Sequence, residues 1–397
     1  MSLRPNYRQQ FFKHVAQTTD APLALEIERA EGVYLYGPNG ERWLDLISGI
    51  SVSSMGHSHP RIVKAVQNQA AKYMHTMVYG EFVQGPQTAF AEKLVHFLPD
   101  PLDTVYFVNS GSEAVEGALK LAKRVTGRTE LISFQNSYHG STHGALSING
   151  SEYWKNAFRP MLPDVRHIRY GNFEDLAQLS TRTAAVVMET VQGEAGVIVP
   201  SKEYIQALRA RCTELGIMLI LDEIQAGMGR TGKLFGFEHF DIKPDILLLA
   251  KAFGGGMPLG AFIASSAHMD TLTHDPLLGH ITTFGGHPVC CAAGLAAFEL
   301  ITESNLPARI PALEARFKSQ LVHPKIVAFR SFGFLMAVEF ADFELNKTII
   351  DLCIEKGVLT DWFLYADNCL RIAPPLLITE KQVDEACRVI LESIEEA

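Results

Sequence analysis

Two segments decide the reading: Leu219-Ile220-Leu221-Asp222-Glu223-Ile224-Gln225, and Asp245-Ile246-Leu247-Leu248-Leu249-Ala250-Lys251-Ala252-Phe253-Gly254-Gly255-Gly256. Each apolar run is short, rich in branched residues and free of alternation, as strands buried on both faces of a parallel sheet are. Each ends on an ionisable residue. Ligands of open α/β sheets bind beyond the carboxyl ends of the strands, so Asp222 and Lys251 are delivered to one crevice.

The chemistry of that pair is specific. A lysine that must lose its proton to attack a carbonyl needs partial desolvation, which a strand end facing a pocket supplies. A carboxylate nearby suits a cofactor with a cationic ring nitrogen. Pyridoxal phosphate (PLP) needs both: a Lys for the Schiff base and an Asp for the pyridinium nitrogen. Taken singly, an Asp or Lys after an apolar run is more often a solvated strand end or helix cap. Three consecutive glycines also suit a flexible loop.

The same region carries a family resemblance. Asp222-Glu223-Ile224-Gln225, Gly227, Gly229-Arg230-Thr231-Gly232, Pro244-Asp245 and Lys251 with its glycines resemble the class III (subgroup II) PLP-dependent aminotransferases, the acetylornithine and ornithine enzymes most closely. The matching motifs run from Gly49 to about Pro375. The resemblance implies an α/β fold of type I: a large domain with a mostly parallel sheet, and a small α+β domain built from both termini. It places residues 1–48 in the small domain, 49–305 in the large PLP-binding domain and 306–397 in the C-terminal small domain.

Working outward, Val105-Tyr106-Phe107-Val108 followed by Asn109-Ser110-Gly111-Ser112-Glu113-Ala114 reads as strand, tight turn and helix start. A new helix offers free amides and a favourable dipole to an anion; the same residues also read as an ordinary N-terminal cap. By resemblance, Ser110, Gly111 and Ser112 hold the cofactor phosphate. There is no Walker lysine and no GxGxxG at the required spacing. Leu131-Ile132-Ser133-Phe134 leads to Tyr138-His139-Gly140-Ser141, where Tyr138 matches the aromatic that stacks on the cofactor. Ser141 stands where the acetylornithine and ornithine enzymes usually carry an arginine for a substrate carboxylate, and a hydroxyl cannot replace a bidentate charged clamp.

Ala184 to Met188 reads as a strand ending at Glu189, before Gln192-Gly193-Glu194-Ala195-Gly196. By resemblance, Glu194 pairs with a C-terminal arginine and moves aside for a dicarboxylate; that arginine matches Arg371 in Leu370-Arg371-Ile372-Ala373-Pro374-Pro375. Gln225 is implied to hydrogen-bond the cofactor's phenolic oxygen. Thr283, in Thr282-Thr283-Phe284-Gly285-Gly286, is implied to reach the phosphate of the neighbouring subunit, which makes the protein a homodimer. His57 and His59 lack the accompanying ligands of a metal site and read as loop and capping residues. Tyr79 and Phe82 are aromatic candidates for a pocket wall.

Elsewhere, Val33–Tyr36 and Arg42–Leu46 read as a hairpin turning at Asn39-Gly40, and a helix begins at about Pro60. A long helix starts near Cys290. Strands are expected in 328–340 and 370–372, and helices near 344–357 and 380–395. The chain has 397 residues and a net charge of −9, with 47% hydrophobic and 20% charged residues. That balance speaks against nucleic-acid or anionic-membrane partners. No run is long enough to span a bilayer, and the N-terminus lacks the apolar core of a signal peptide. Six cysteines without CxxC spacing read as reduced thiols in a cytoplasmic setting.

The expected function is transfer of an amino group from an ω-amino donor (N-acetylornithine, ornithine, 4-aminobutyrate or a relative) to 2-oxoglutarate. The alternatives are pyruvate as acceptor with another donor, or an aminomutase of the glutamate-1-semialdehyde type.

Overall fold

The computed structural model describes residues 6–78 and 80–397. Its central sheet has seven strands in the order Thr104–Val108, Gly260–Ala264, Ile246–Leu249, Met218–Asp222, Thr183–Glu189, Glu130–Phe134 and Val165–Ile168. Gly260–Ala264 alone runs against the rest. The runs ending at Glu189, Asp222 and Leu249 are buried along their whole length, which is why their sequence shows no alternation.

Parallel strands put their carboxyl ends on one edge. The loops beginning at Asn109, Gln135, Thr190, Glu223 and Ala250 therefore open there together. The helix Gly111–Thr126 starts at that edge, capped by the Ser110 hydroxyl, and ends at Gly127 in the left-handed region (φ 67°). Its apolar face (Ala114, Val115, Ala118, Leu121, Ala122) lies on the sheet at helical spacing. Gly117 sets how close it comes: a Cβ there would fall 2.3 Å from the Phe262 ring.

Two smaller sheets complete the fold. Arg29–Glu31, Tyr34–Tyr36 and Arg42–Asp45 pair antiparallel, and Val358–Leu359 joins them parallel to Arg42–Asp45. The hairpin turns at Gly40 (φ 94°), as its Asn-Gly sequence predicts. The other sheet is antiparallel: Ala328–Phe332, Leu335–Glu339, Ala366–Ile372 and Trp362–Phe363. The region 328–340, where strands are expected, holds two, folded at Gly333 (φ 64°), where a Cβ would sit 2.5 Å from the Arg230 carbonyl. Helices Phe343–Glu355 and Glu380–Glu396 lie near their predicted positions.

Arg230, from the Gly-Arg-Thr-Gly motif, is buried away from the cleft lining and donates to the Pro374 carbonyl and to Ser54 Oγ at 2.7 Å. Burial pushes its guanidinium down to about 9. Its role is to tie the segment after the first hairpin to the Pro-Pro stretch. No single helix among the described residues is long and apolar enough to cross a membrane.

Candidate active site

A cavity of about 400 Å³ opens at the carboxyl edge of the central sheet, and Ser110, Gly111, Ser112, Tyr138, Asp222, Gln225 and Lys251 all line it. Seven residues from four separate stretches of sequence meet there because the strands deliver them to the same edge.

Asp222 is held on both oxygens. Oδ1 accepts from the Ile224 amide at 3.0 Å, and Oδ2 lies 2.7 Å from His139 Nδ1. His139 is buried, its amide donates to Asn149 Oδ1 at 2.7 Å, and its Nε2 lies 3.3 Å from Ser133 Oγ. The carboxylate is therefore fixed before any ligand arrives. Lys251 follows the neighbouring strand with a positive φ of 50°, a conformation that a lysine adopts at a cost and that occurs mainly where surrounding structure enforces it. Burial lowers its pKa, and the charges of Glu194 and Asp222 partly offset that fall. A lowered value leaves more of the amine neutral and nucleophilic.

Glu189 pairs in register with Asp222 across the two strands and accepts from the Tyr138 amide at 3.1 Å. Burial, with the Asp222 charge beside it, holds its carboxyl well above the usual range.

At the other end of the cavity, Ser110 Oγ accepts from the Glu113 amide at 3.2 Å, and the first turn of Gly111–Thr126 faces the opening. Ser112 Oγ accepts from the Ser141 amide at 3.2 Å, and a Cβ at Gly140 would fall 2.1 Å from that hydroxyl. Gln225 Nε2 is buried with no hydrogen-bond partner among the described residues. A buried amide left unpaired is costly unless a ligand completes it. A helix N-terminus for a phosphate, an unpaired amide donor, a fixed carboxylate and a desolvated amine are the parts that PLP requires, so these residues fit the cofactor.

Glu194 and Arg371 meet in a buried two-pronged ion pair, with Nη1 to Oε1 at 2.9 Å and Nη2 to Oε2 at 3.0 Å. Burial alone would raise the Glu194 carboxyl; Arg371, with Lys251 adding, outweighs it and holds the value below the usual range. Ser141 is exposed, its hydroxyl 3.3 Å from that of Tyr138. Thr283 is exposed outside this cavity, its carbonyl 2.9 Å from His75 Nε2.

Phe82 lines a different cavity, with Val78, Gln87 and Phe107, and Tyr79 lies outside the described residues. His57 Nε2 contacts Asp45 Oδ2 at 2.8 Å, and His59 Nδ1 accepts from the Arg61 amide at the start of Pro60–Lys72. Sequence reasoning gave no role to His139, Glu189, Asp361 or Tyr365. The first two had a signal, since each adjoins or ends a strand already assigned to the crevice. Tyr365, whose hydroxyl is buried without a hydrogen-bond partner among the described residues beside Tyr138, Glu189 and Glu194, had none.

The profile of the family described as Aminotransferase class-III matches residues 15–394. The acetylornithine aminotransferase of Methanopyrus kandleri is 38% identical over 370 residues, covering 92% of each chain. An ornithine aminotransferase from Toxoplasma gondii, whose structure has partial occupancy of PLP at the active site, superimposes with a TM-score of 0.91 at 30% identity. That match covers 98% of this chain and 93% of the other. A transaminase from the marine bacterium Virgibacillus superimposes equally well, with a TM-score of 0.91, 28% identity and 98% coverage of both chains.

Proposed function

Since the chain belongs to the class-III aminotransferases, PLP-dependent transaminases of fold type I, we propose that it moves an amino group from an ω-amino donor to 2-oxoglutarate. The donor is N-acetylornithine, ornithine, 4-aminobutyrate or a close relative. The observation that carries the dicarboxylate acceptor is the buried Glu194–Arg371 pair, near enough to Lys251 for its charges to shift the amine. A retractable counter-ion lets one site serve both a side chain with a carboxylate and one without.

When bound, PLP supplies an aldehyde that condenses with amines and a ring that accepts electrons. Lys251 Nζ provides the amine that holds it and, once released, moves the proton at the substrate carbon. Asp222 keeps the ring nitrogen protonated, with His139 and the Ile224 amide preventing its carboxylate from turning away. Gln225 Nε2 donates to the phenolic oxygen, and Tyr138 covers the ring.

Ser110, Gly111 and Ser112 hold the phosphate with the first-turn amides. Thr283 reaches the phosphate of a second subunit in a homodimer. The exposed apolar residues around it, Leu277, Leu278, Ile281 and Phe284, support such an interface. The division into 1–48, 49–305 and 306–397 belongs to the same reading, supported by the sheet that joins Arg42–Asp45 to Val358–Leu359. Six buried, unpaired cysteines support a cytoplasmic setting.

The test is a panel of ω-amino donors against 2-oxoglutarate, pyruvate and no acceptor. Turnover that requires 2-oxoglutarate supports the reading; turnover without any acceptor replaces it with the aminomutase, and preference for pyruvate removes the dicarboxylate gate. Ser141→Arg should raise kcat/KM for donors bearing an α-carboxylate by about tenfold, the scale of one charged hydrogen bond.

A further inference from the structure

The Arg371 guanidinium has two carboxylate partners. Glu194 occupies Nη1 and Nη2, while Asp361 Oδ1 lies 2.8 Å from Nε, a charge contact outside hydrogen-bond alignment. The backbone pins the second partner in place, since the Arg371 amide donates to the Asp361 carbonyl at 2.9 Å. The remaining contacts carry no full charge: the Trp362 carbonyl accepts from Nη2 at 3.0 Å, and the Phe363 ring lies 4.4 Å from the guanidinium carbon.

A substrate dicarboxylate that binds Arg371 must take the place of Glu194. Between the departure of one carboxylate and the arrival of the other, the guanidinium remains buried. A buried charge stripped of its only partner is strongly destabilised. Here it is not stripped, because Asp361 stays on Nε. We propose that Asp361 is the standing counter-ion of Arg371, a positioning residue that keeps the guanidinium paired while Glu194 exchanges with the substrate's carboxylate. This rests on the reading of Glu194 and Arg371 as the dicarboxylate gate.

The effect falls on rate more than on equilibrium. The departing and arriving carboxylates occupy the same prongs, so Asp361 repels both alike and the repulsion cancels between the end states. In the interval the prongs are empty, and there the negative charge of Asp361 stabilises. Donors without a second carboxylate leave Glu194 in place and are indifferent to Asp361.

The experiment follows glutarate binding to the holoenzyme by stopped-flow absorbance of the cofactor, with the equilibrium constant from calorimetry. Asp361→Asn should slow association by at least about tenfold, while Kd moves by less than about threefold. Asp361→Glu, which keeps the charge, should keep the rate. In the Glu194→Gln background, where no anion must leave, Asp361→Asn should no longer slow association. The 4-aminobutyrate half-reaction should be unchanged in Asp361→Asn. Should the Asn protein not fold, Asp361→Ser serves the same comparison.

Unchanged glutarate association in Asp361→Asn, or equal slowing by Asn and Glu, overturns the proposal. If Glu194→Gln still alters glutarate binding, the gate itself survives that result. Glutarate binding indifferent to Glu194→Gln sinks the gate, and the role of Asp361 with it.

Discussion

The two ends of the proposed active site are built on opposite plans. At the cofactor end, Asp222, His139 and Lys251 sit on or beside buried strand ends, and Asp222 is hydrogen-bonded on both oxygens within the protein. At the substrate end, Arg371 projects from an antiparallel strand of the small sheet, and its principal partner, Glu194, comes from a loop of the central sheet. The first plan fixes groups that must not move during a reaction. On the proposed reading, the second stores a charge in a pair that another carboxylate can enter. Preorganisation suits the chemistry, and exchange suits the handling of two substrates in turn.

The largest expected effect breaks the comparison at its fixed end. Lys251→Ala should lower transaminase turnover by on the order of ten-thousand-fold, measured in steady state with the best donor. A small change would mean that another amine carries the proton. Asp222→Ala should depress kcat a hundred- to thousand-fold, roughly the scale of a lost electrostatic stabiliser, with cofactor affinity affected less; near-normal turnover would remove the role given to it.

At the exchangeable end the expected change is smaller and opposite in sign. Glu194→Gln should tighten glutarate about tenfold, because no anion has to be displaced, and calorimetry reads it directly. Weaker binding would mean that Glu194 holds the dicarboxylate site together.

The smallest effect separates fold from site. His167, on the edge strand of the central sheet, lies 3.3 Å from the Ile148 carbonyl, and burial pushes its imidazole down to about 4. The unfolded chain titrates near 6.5. As pH falls through the window between those values, protons bind the unfolded chain first, so the stability present above it is lost. The Tm difference between pH 7 and pH 4.5 should be about 3 °C smaller in His167→Gln, with the donor–acceptor profile at pH 7 unchanged. An equal difference in both proteins would assign acid sensitivity elsewhere.

The cofactor end was legible because its signals are local. A buried strand reads as a continuous apolar run, and the residue that ends it is the one presented to the crevice; hence Asp222 and Lys251 could be placed from short windows. Ser110, Gly111 and Ser112 were legible for the same reason, as a strand-to-helix turn. His139 was the nearest miss: its position beside Tyr138 put it at the crevice, but its partner is 83 residues away.

The substrate end was less legible because its contacts cross between sheets. Asp361 sits in Thr360-Asp361-Trp362, with no spacing that announces a partner ten residues later on the neighbouring strand. The fold at Gly333 within the strand region 328–340 was hidden likewise: the constraint is the close approach of Arg230, a tertiary contact.

The central claim is that a single amine, Nζ of Lys251, holds the cofactor opposite Asp222. Borohydride reduction of the holoenzyme, followed by proteolysis and mass spectrometry, tests it most directly. The expected result is one pyridoxyl-modified peptide, with the modification on Lys251 and none in Lys251→Ala. Modification at another lysine, or persistence of the label in that variant, would contradict it.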